Sequence, residues 1–208
     1  MEAFDHLIEQ RTRMLAMVEE LEEVNPMLGH RGVRLGITHP DIYEMQVRAI
    51  VTAAAELKRQ GRDPRPEIMV PQVALRRELE VIREMVDRVV AEVTREYGVE
   101  IHIEYGTMME VVRACLTAEE IAEVVEFFSF GTNDLTQATF SFSREDAEAK
   151  FLPFYETMEL IPTNPFRTLD PEGVADLVRI GVERGRKRVK DPTIGICGEH
   201  GGDPASIR

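Results

Sequence analysis

Glu126-Phe127-Phe128-Ser129-Phe130-Gly131-Thr132-Asn133-Asp134-Leu135-Thr136-Gln137 is an apolar run of strand length that stops at a glycine and turns polar at once. In an alternating β/α chain, this is how a buried parallel strand reaches the carboxyl end of its sheet and opens into a loop. Folds of that kind place their chemistry at that end. An ordinary strand followed by a turn fits the same residues, because Gly, Asn and Asp are common turn formers.

Outward from this run the pattern alternates. Residues 4–23 carry Phe4, Leu7, Ile8, Leu15, Val18 and Leu21 at helical spacing, and Asn25-Pro26 ends the segment. A glycine- and arginine-rich segment, Gly29-His30-Arg31-Gly32-Val33-Arg34-Leu35-Gly36, follows. Glycine lets backbone come close to a ligand, and arginine suits phosphate or carboxylate; a surface turn reads equally well. Thr38, Pro40 and Asp41 open a helix that stops at Gly61. Glu67 to Val73 reads as a strand with Pro71 at its exit. A long helix runs from about Leu75 to Tyr97, with Gly98 as its cap. Val99 to Tyr105 reads as the next strand, entering Gly106-Thr107-Met108-Met109-Glu110, and Thr117 with Glu120 suggests a capping box. Pro153 and Pro162 interrupt a helical stretch over 143–161. Asp170-Pro171 starts a helix, and Thr193 to Cys197 forms the last strand before Gly198-Glu199-His200-Gly201-Gly202. Four strands, or five if Arg34 to Thr38 counts, joined by crossover helices suit half of an eight-stranded barrel.

Composition narrows the function classes. The 208 residues are 43% hydrophobic and 30% charged, with a formal net charge of -13. A chain this acidic is a poor general nucleic-acid binder, since phosphate contacts need clustered Lys and Arg. Its basic cluster, Arg184, Arg186, Lys187, Arg188 and Lys190, falls at a helix end and reads as a solvated terminus. Cys115 and Cys197 make no disulfide framework, so a reduced, cytoplasmic setting is expected. No apolar run reaches membrane-spanning length.

Four segments occur in one order: Gly29-His30-Arg31-Gly32, Gly106-Thr107-Met108-Met109-Glu110, Phe127 to Gln137, and Gly195-Ile196-Cys197-Gly198-Glu199-His200-Gly201-Gly202. Together they resemble the pyruvate, phosphate dikinase family of phosphoenolpyruvate-utilising enzymes, in its C-terminal phosphoenolpyruvate/pyruvate domain. Phosphoenolpyruvate synthase and enzyme I of the bacterial sugar phosphotransferase system are relatives. The resemblance covers about Glu23 to Ile207. It implies an α/β fold, a partial (β/α)₈ TIM barrel comprising the second half, with residues 1–24 as a leading helix and 25–208 as the barrel portion.

The resemblance also implies a chemistry. The family binds phosphoenolpyruvate or pyruvate with Mg²⁺ at the barrel's carboxyl rim and exchanges a phosphoryl group with a phosphohistidine. The phosphohistidine and ATP-grasp domains that serve this reaction are expected as partners outside this chain. Glu110 and Asp134 match the metal-holding pair. Gly131, Thr132 and Asn133 match residues that cradle the substrate, Arg144 a substrate-binding arginine, and Arg31 an arginine at the site's mouth. Mg²⁺ prefers carboxylate oxygen, so the acidic pair suits it chemically. His200 reads as a loop-organising residue, and Cys197 and Cys115 as buried and inert. The family's proton-donating cysteine belongs to a Ser-Cys-Ser-Pro segment that does not occur here, so no catalytic residue is expected in this chain. A truncated portion, inactive alone and self-associating through open barrel edges, is expected. A non-catalytic phosphoenolpyruvate-binding module and a portion of phosphoenolpyruvate synthase are the alternatives.

Overall fold

Phe127, Phe128 and Phe130 anchor the architecture because all three are buried in one strand. The computed structural model describes residues 2–20, 28–188 and 193–207. It divides into two units, Met1–Arg31 and Gly32–Arg208. The first contains helix α1 (Glu2–Glu20), on which Phe4, Leu7, Ile8, Leu15 and Val18 are exposed. Leu21, the stop at Asn25-Pro26 and the boundary expected at residue 24 lie outside the described residues.

In the second unit, β1 (Glu67–Val70), β2 (Glu104–Met109), β3 (Phe127–Gly131) and β4 (Thr193–Cys197) pair in parallel in the order β1-β2-β3-β4. Each strand lies beside its predecessor in sequence, so the winding never reverses. Parallel neighbours need crossovers, and right-handed crossovers in one direction put the connecting helices on one face of the sheet. That is the winding of a barrel rather than of an open doubly wound sheet, and it fits the partial-barrel expectation.

Helix α2 (Val33–Thr38) and α3 (Pro40–Arg59) precede β1. Arg34 to Thr38 is therefore helical and supplies no fifth strand. Its N–H groups bond back within one turn, with Gly36 N–H reaching Gly32 O at 3.1 Å. Helix α4 (Arg76–Tyr97) links β1 to β2 and buries Leu79, Ile82, Val86, Val89 and Val93 at helical spacing. Its first turn is capped by Glu78, whose carboxylate accepts from the N–H groups of Ala74 and Leu75 at 2.8 Å. Gly98 closes it in the left-handed conformation.

The second strand starts later than its sequence suggests. Residues 99–103 are irregular, and β2 begins at Glu104, opposite Glu67. Val99, Ile101 and Ile103 still pack against the core at alternate positions, which imitates a strand. Register with β1 sets the true start. Two short helices, α5 (Val112–Leu116) and α6 (Ala118–Ile121), lead to β3. The capping box expected at Thr117 does not form, because its hydroxyl donates back to Arg113 O at 2.9 Å.

Among the described residues, four helices separate β3 from β4: α7 (Thr132–Phe140), α8 (Arg144–Lys150), α9 (Leu152–Thr157) and α10 (Val174–Gly185). Asp170 starts α10 by accepting from Gly173 and Val174 N–H at 2.9 and 3.0 Å. The basic cluster at the end of α10 is exposed beyond Gly185, as a solvated terminus should be, and it is also partnered. Arg184 donates to Leu116 O, and Arg188 pairs with Glu119 and Glu123, so these cations latch α10 to the α5–α6 corner. Lys190 lies outside the described residues. Among the described residues no helix is long and apolar enough to cross a membrane.

Period-two alternation sorts the strand residues. Tyr105 and Phe128 face the helices: Tyr105 Oη donates to Leu79 O at 2.9 Å, and Phe128 packs on Gly185. A methyl group at Gly185 would collide with Phe128 Cζ, at the ring's edge. Alanine favours a helix over glycine by about 1 kcal/mol, yet overpacking costs about 1–3 kcal/mol. Gly185→Ala is therefore expected to lower stability, measured by urea denaturation; unchanged or raised stability would show that α10 does not sit tightly on β3.

Candidate functional site

Four consecutive strand exits build one rim. Pro71-Gln72 follows β1, Glu110 follows β2, Thr132 to Asp134 follow β3 as the first turn of α7, and Gly198 to His200 follow β4. Glu110 and Gln72 are each 5% exposed. Burying a carboxylate is costly unless donors meet it. Gln72 supplies one, its backbone N–H reaching Glu110 Oε1 at 2.7 Å. The same residue's side-chain amide donates to Asp134 Oδ2 at 3.0 Å. One glutamine thus ties both carboxylates together. Gln137 adds a second amide to Asp134, at 3.3 Å to Oδ1, and Asp134 sits in the first turn of α7, where the helix dipole favours negative charge.

Gln72 and Gln137 were not among the residues expected at the site. A signal for Gln72 existed: it is the one polar residue in Ile68-Met69-Val70-Pro71-Gln72-Val73, directly after the strand. Its backbone has φ +60, a left-handed conformation that costs a non-glycine residue roughly 1 kcal/mol. The strain is held from two sides. Val33 N–H donates to Pro71 O at 3.0 Å, and a Cβ at Gly32 would stand 2.7 Å from Gln72 Cβ. Gly32 is accordingly required where it is.

The expected cradle residues gather at this rim. A Cβ at Gly131 would lie 2.7 Å from Glu110 Oε2, so any larger residue would displace the acid. Asn133 Oδ1 accepts from Glu199 N–H at 3.3 Å, and Gly198, with φ +97, passes close to both Thr132 and Asn133. His200 is fully buried, with Nδ1 2.7 Å from Thr132 Oγ1 and Nε2 2.9 Å from Pro165 O. A carbonyl only accepts, so Nε2 carries a proton. Thr132 Oγ1 is also 3.0 Å from Cys197 O, and its single proton goes either there or to Nδ1. His200 is therefore a knot joining the start of α7, the loop after β4 and the loop before α10, in line with its expected loop-organising role.

Arg144 stands in a clasp. Its Nη1 and Nη2 donate to the two oxygens of Glu199 at 2.6 and 2.8 Å, its Nε donates to Glu148 at 3.2 Å, and its guanidinium lies over the Phe166 ring. Three of its five N–H groups are used in these bonds. Its backbone N–H donates to Gln137 Oε1 at 3.1 Å, which links it to the amide holding Asp134. Arg31 belongs to the first unit, where its N–H donates to Gly29 O at 3.1 Å. Cys197 is half-buried rather than buried, because β4 is an edge strand among the described residues, and its thiol lies 3.5 Å from Phe130 O. Burial pushes the Cys115 thiol up to about 12, as suits an inert core residue.

The Arg144 hydrogen bond, with a small contribution from the His200 side, holds the Glu199 carboxyl below its ordinary value. A lowered folded-state value stabilises above the unfolded value of about 4.5 and is lost as pH falls through the lowered one. The melting-temperature difference between the wild type and Glu199→Gln should therefore be full above about pH 5 and vanish in acid. A difference that persists at pH 2 would assign the loss to packing instead.

With this geometry in view, comparison with known proteins is direct. Residues 5–208 match the family described as PEP-utilising enzyme, PEP-binding domain. Pyruvate, phosphate dikinase of Entamoeba histolytica is 53% identical over 93% of this chain and 22% of its own length. The proteins of that name from Rhizobium meliloti and Giardia intestinalis are 54% and 52% identical, over 92% and 91% of this chain. The chain spans about a fifth of the length of these relatives, 21% and 22% in the three cases. It belongs to the PEP-utilising enzymes, of which it carries the PEP-binding domain.

Proposed function

We propose that this chain is the phosphoenolpyruvate/pyruvate- and Mg²⁺-binding portion of a pyruvate, phosphate dikinase. The observation that carries this reading is Gln72, whose two donors reach Glu110 and Asp134 from one residue and so keep the acids at one rim. Identity above 50% to relatives of that name supports this choice of activity. In the complete reaction, pyruvate, ATP and phosphate give phosphoenolpyruvate, AMP and diphosphate. In the step at this rim, the phosphorus–nitrogen bond of a phosphohistidine breaks, a bond forms from phosphorus to the enol oxygen, and the proton lost from the methyl group of pyruvate is balanced by the one the freed imidazole takes up.

The donor set fits Mg²⁺, a hard cation that takes one or two carboxylates and fills its shell with substrate oxygens and water. Glu110 and Asp134 are the two residues that would hold it. When bound, it supplies positive charge against the substrate carboxylate and the enolate oxygen. The chain's own residues do the rest. Gly131 leaves room for Glu110 itself, whose carboxylate a Cβ at that position would displace. The first N–H groups of α7, at Thr132 and Asn133, have no carbonyl partner within the helix and suit an anionic oxygen. Arg144 has two further N–H groups on a guanidinium already fixed by Glu199 and Glu148, so it can meet a substrate carboxylate or phosphoryl oxygen without searching.

The outer edges of β1 and β4 carry no strand partner among the described residues, and Met69 and Ile196 are exposed there. Unpaired edges of this kind support association of the chain with itself or with further strands. Sedimentation is expected to give a species larger than the 23.7 kDa monomer; a monodisperse monomer at micromolar concentration would overturn the self-association.

Phosphoenolpyruvate binding should be saturable and Mg²⁺-dependent by calorimetry. Asp134→Asn and Glu110→Gln are each expected to weaken it about a hundredfold or more, equivalent to about 3 kcal/mol. Binding unaffected by either substitution, or by removing Mg²⁺, would sink the reading.

A further inference from the structure

We propose that Gln72 is a positioning residue: it holds Glu110 and Asp134 together as one acidic pair for a divalent ion. The inference rests on the reading of that pair as a Mg²⁺ site, and goes beyond it by naming what shapes the site. Three separate observations converge on this residue. Its two donors go to the two acids, one from the backbone and one from the side chain. It is buried, though glutamine is usually exposed. It holds a left-handed backbone without being glycine, kept there by Gly32 and by the Val33 bond to Pro71. Strained residues of this sort persist where surroundings over-determine them, and they cluster at functional sites.

An amide donor could compete with an ion for the same oxygen. The lone-pair count argues otherwise. A carboxylate offers about four acceptor positions; Gln72 takes one on each acid, and Gln137 a further one on Asp134. Oxygens held by a fixed neutral donor are oriented, and their charge is not cancelled. Outer partners that orient metal ligands in this way typically contribute 10- to 100-fold in affinity. Two negative groups also repel when brought together, and a rigid donor shared between them opposes their separation.

Gln72→Leu removes only the side-chain donor and keeps the N–H bond to Glu110. Gln72→Gly removes the same donor and relieves the left-handed strain, so its melting temperature should not fall below that of Gln72→Leu. Both variants of the 208-residue chain are expected to bind Mg²⁺ about 10- to 100-fold more weakly by calorimetry, while remaining folded by circular dichroism. A second, metal-free measurement follows the Gln72 amide resonances by NMR. Asp134→Asn should move the side-chain NH₂ signals, and Glu110→Gln the backbone N–H signal. Variants that bind within twofold of the wild type, or Gln72 signals that ignore both substitutions, overturn the proposal. If the wild type binds no Mg²⁺ at all, the magnesium reading of the site falls, and with it Gln72's role toward an ion. The NMR measurement then separately decides whether Gln72 still joins the two acids.

Discussion

Two carboxylates gathered at one edge of a sheet repel each other and lose hydration, and the protein meets both costs with amide hydrogens. Gln72 donates to Glu110 and Asp134, and Gln137 donates to Asp134 from one turn further along α7. Neutral donors are suited to this task. A lysine or arginine in the same place would cancel the charge, whereas an amide orients the acids and leaves them negative.

Space at the rim is made by glycine. Gly131 lets Glu110 lie over the end of β3, Gly32 lets Gln72 take its left-handed backbone, and Gly198 lets the β4 loop close on Thr132 and Asn133. Gly131 and Gly198 bring neighbouring strand exits together, and Gly32 ties the start of α2 to the exit of β1. His200 completes the chain of contacts from the inside, spanning from Thr132 to Pro165. Arg144 and Glu199 do so from the outside, with side chains 26% and 54% exposed, so solvent screens the pair and its electrostatic share is modest. The basic cluster after α10 works in the same fashion, pairing across to Glu119 and Glu123.

The strand-to-helix alternation was readable along the chain because β1, β3 and β4 are short apolar runs that end at Pro, Gly or a glycine-led turn. Errors arose where a local pattern was shared by two structures. Val99, Ile101 and Ile103 alternate as a strand would, but they line a connecting segment, and pairing with β1 postpones β2 to Glu104. Thr117 has the spacing of a helix cap, yet a nearer acceptor at Arg113 takes its hydroxyl proton. Cys197 looks buried by composition, but half of its surroundings depend on a neighbour that β4 lacks among the described residues.

Periodicity, glycine and proline punctuation and the order of four motifs were enough for the parallel α/β class and for Glu110 and Asp134 as residues at neighbouring strand exits. These are properties of one strand or one loop at a time, and local sterics enforce them. The partners of those acids were beyond such reading. Gln72 lies 38 residues before Glu110 and 62 before Asp134, and Glu199 lies 55 after Arg144. Hydrogen bonds across such separations exist because parallel pairing aligns the strand exits, and that alignment is a property of the assembled sheet.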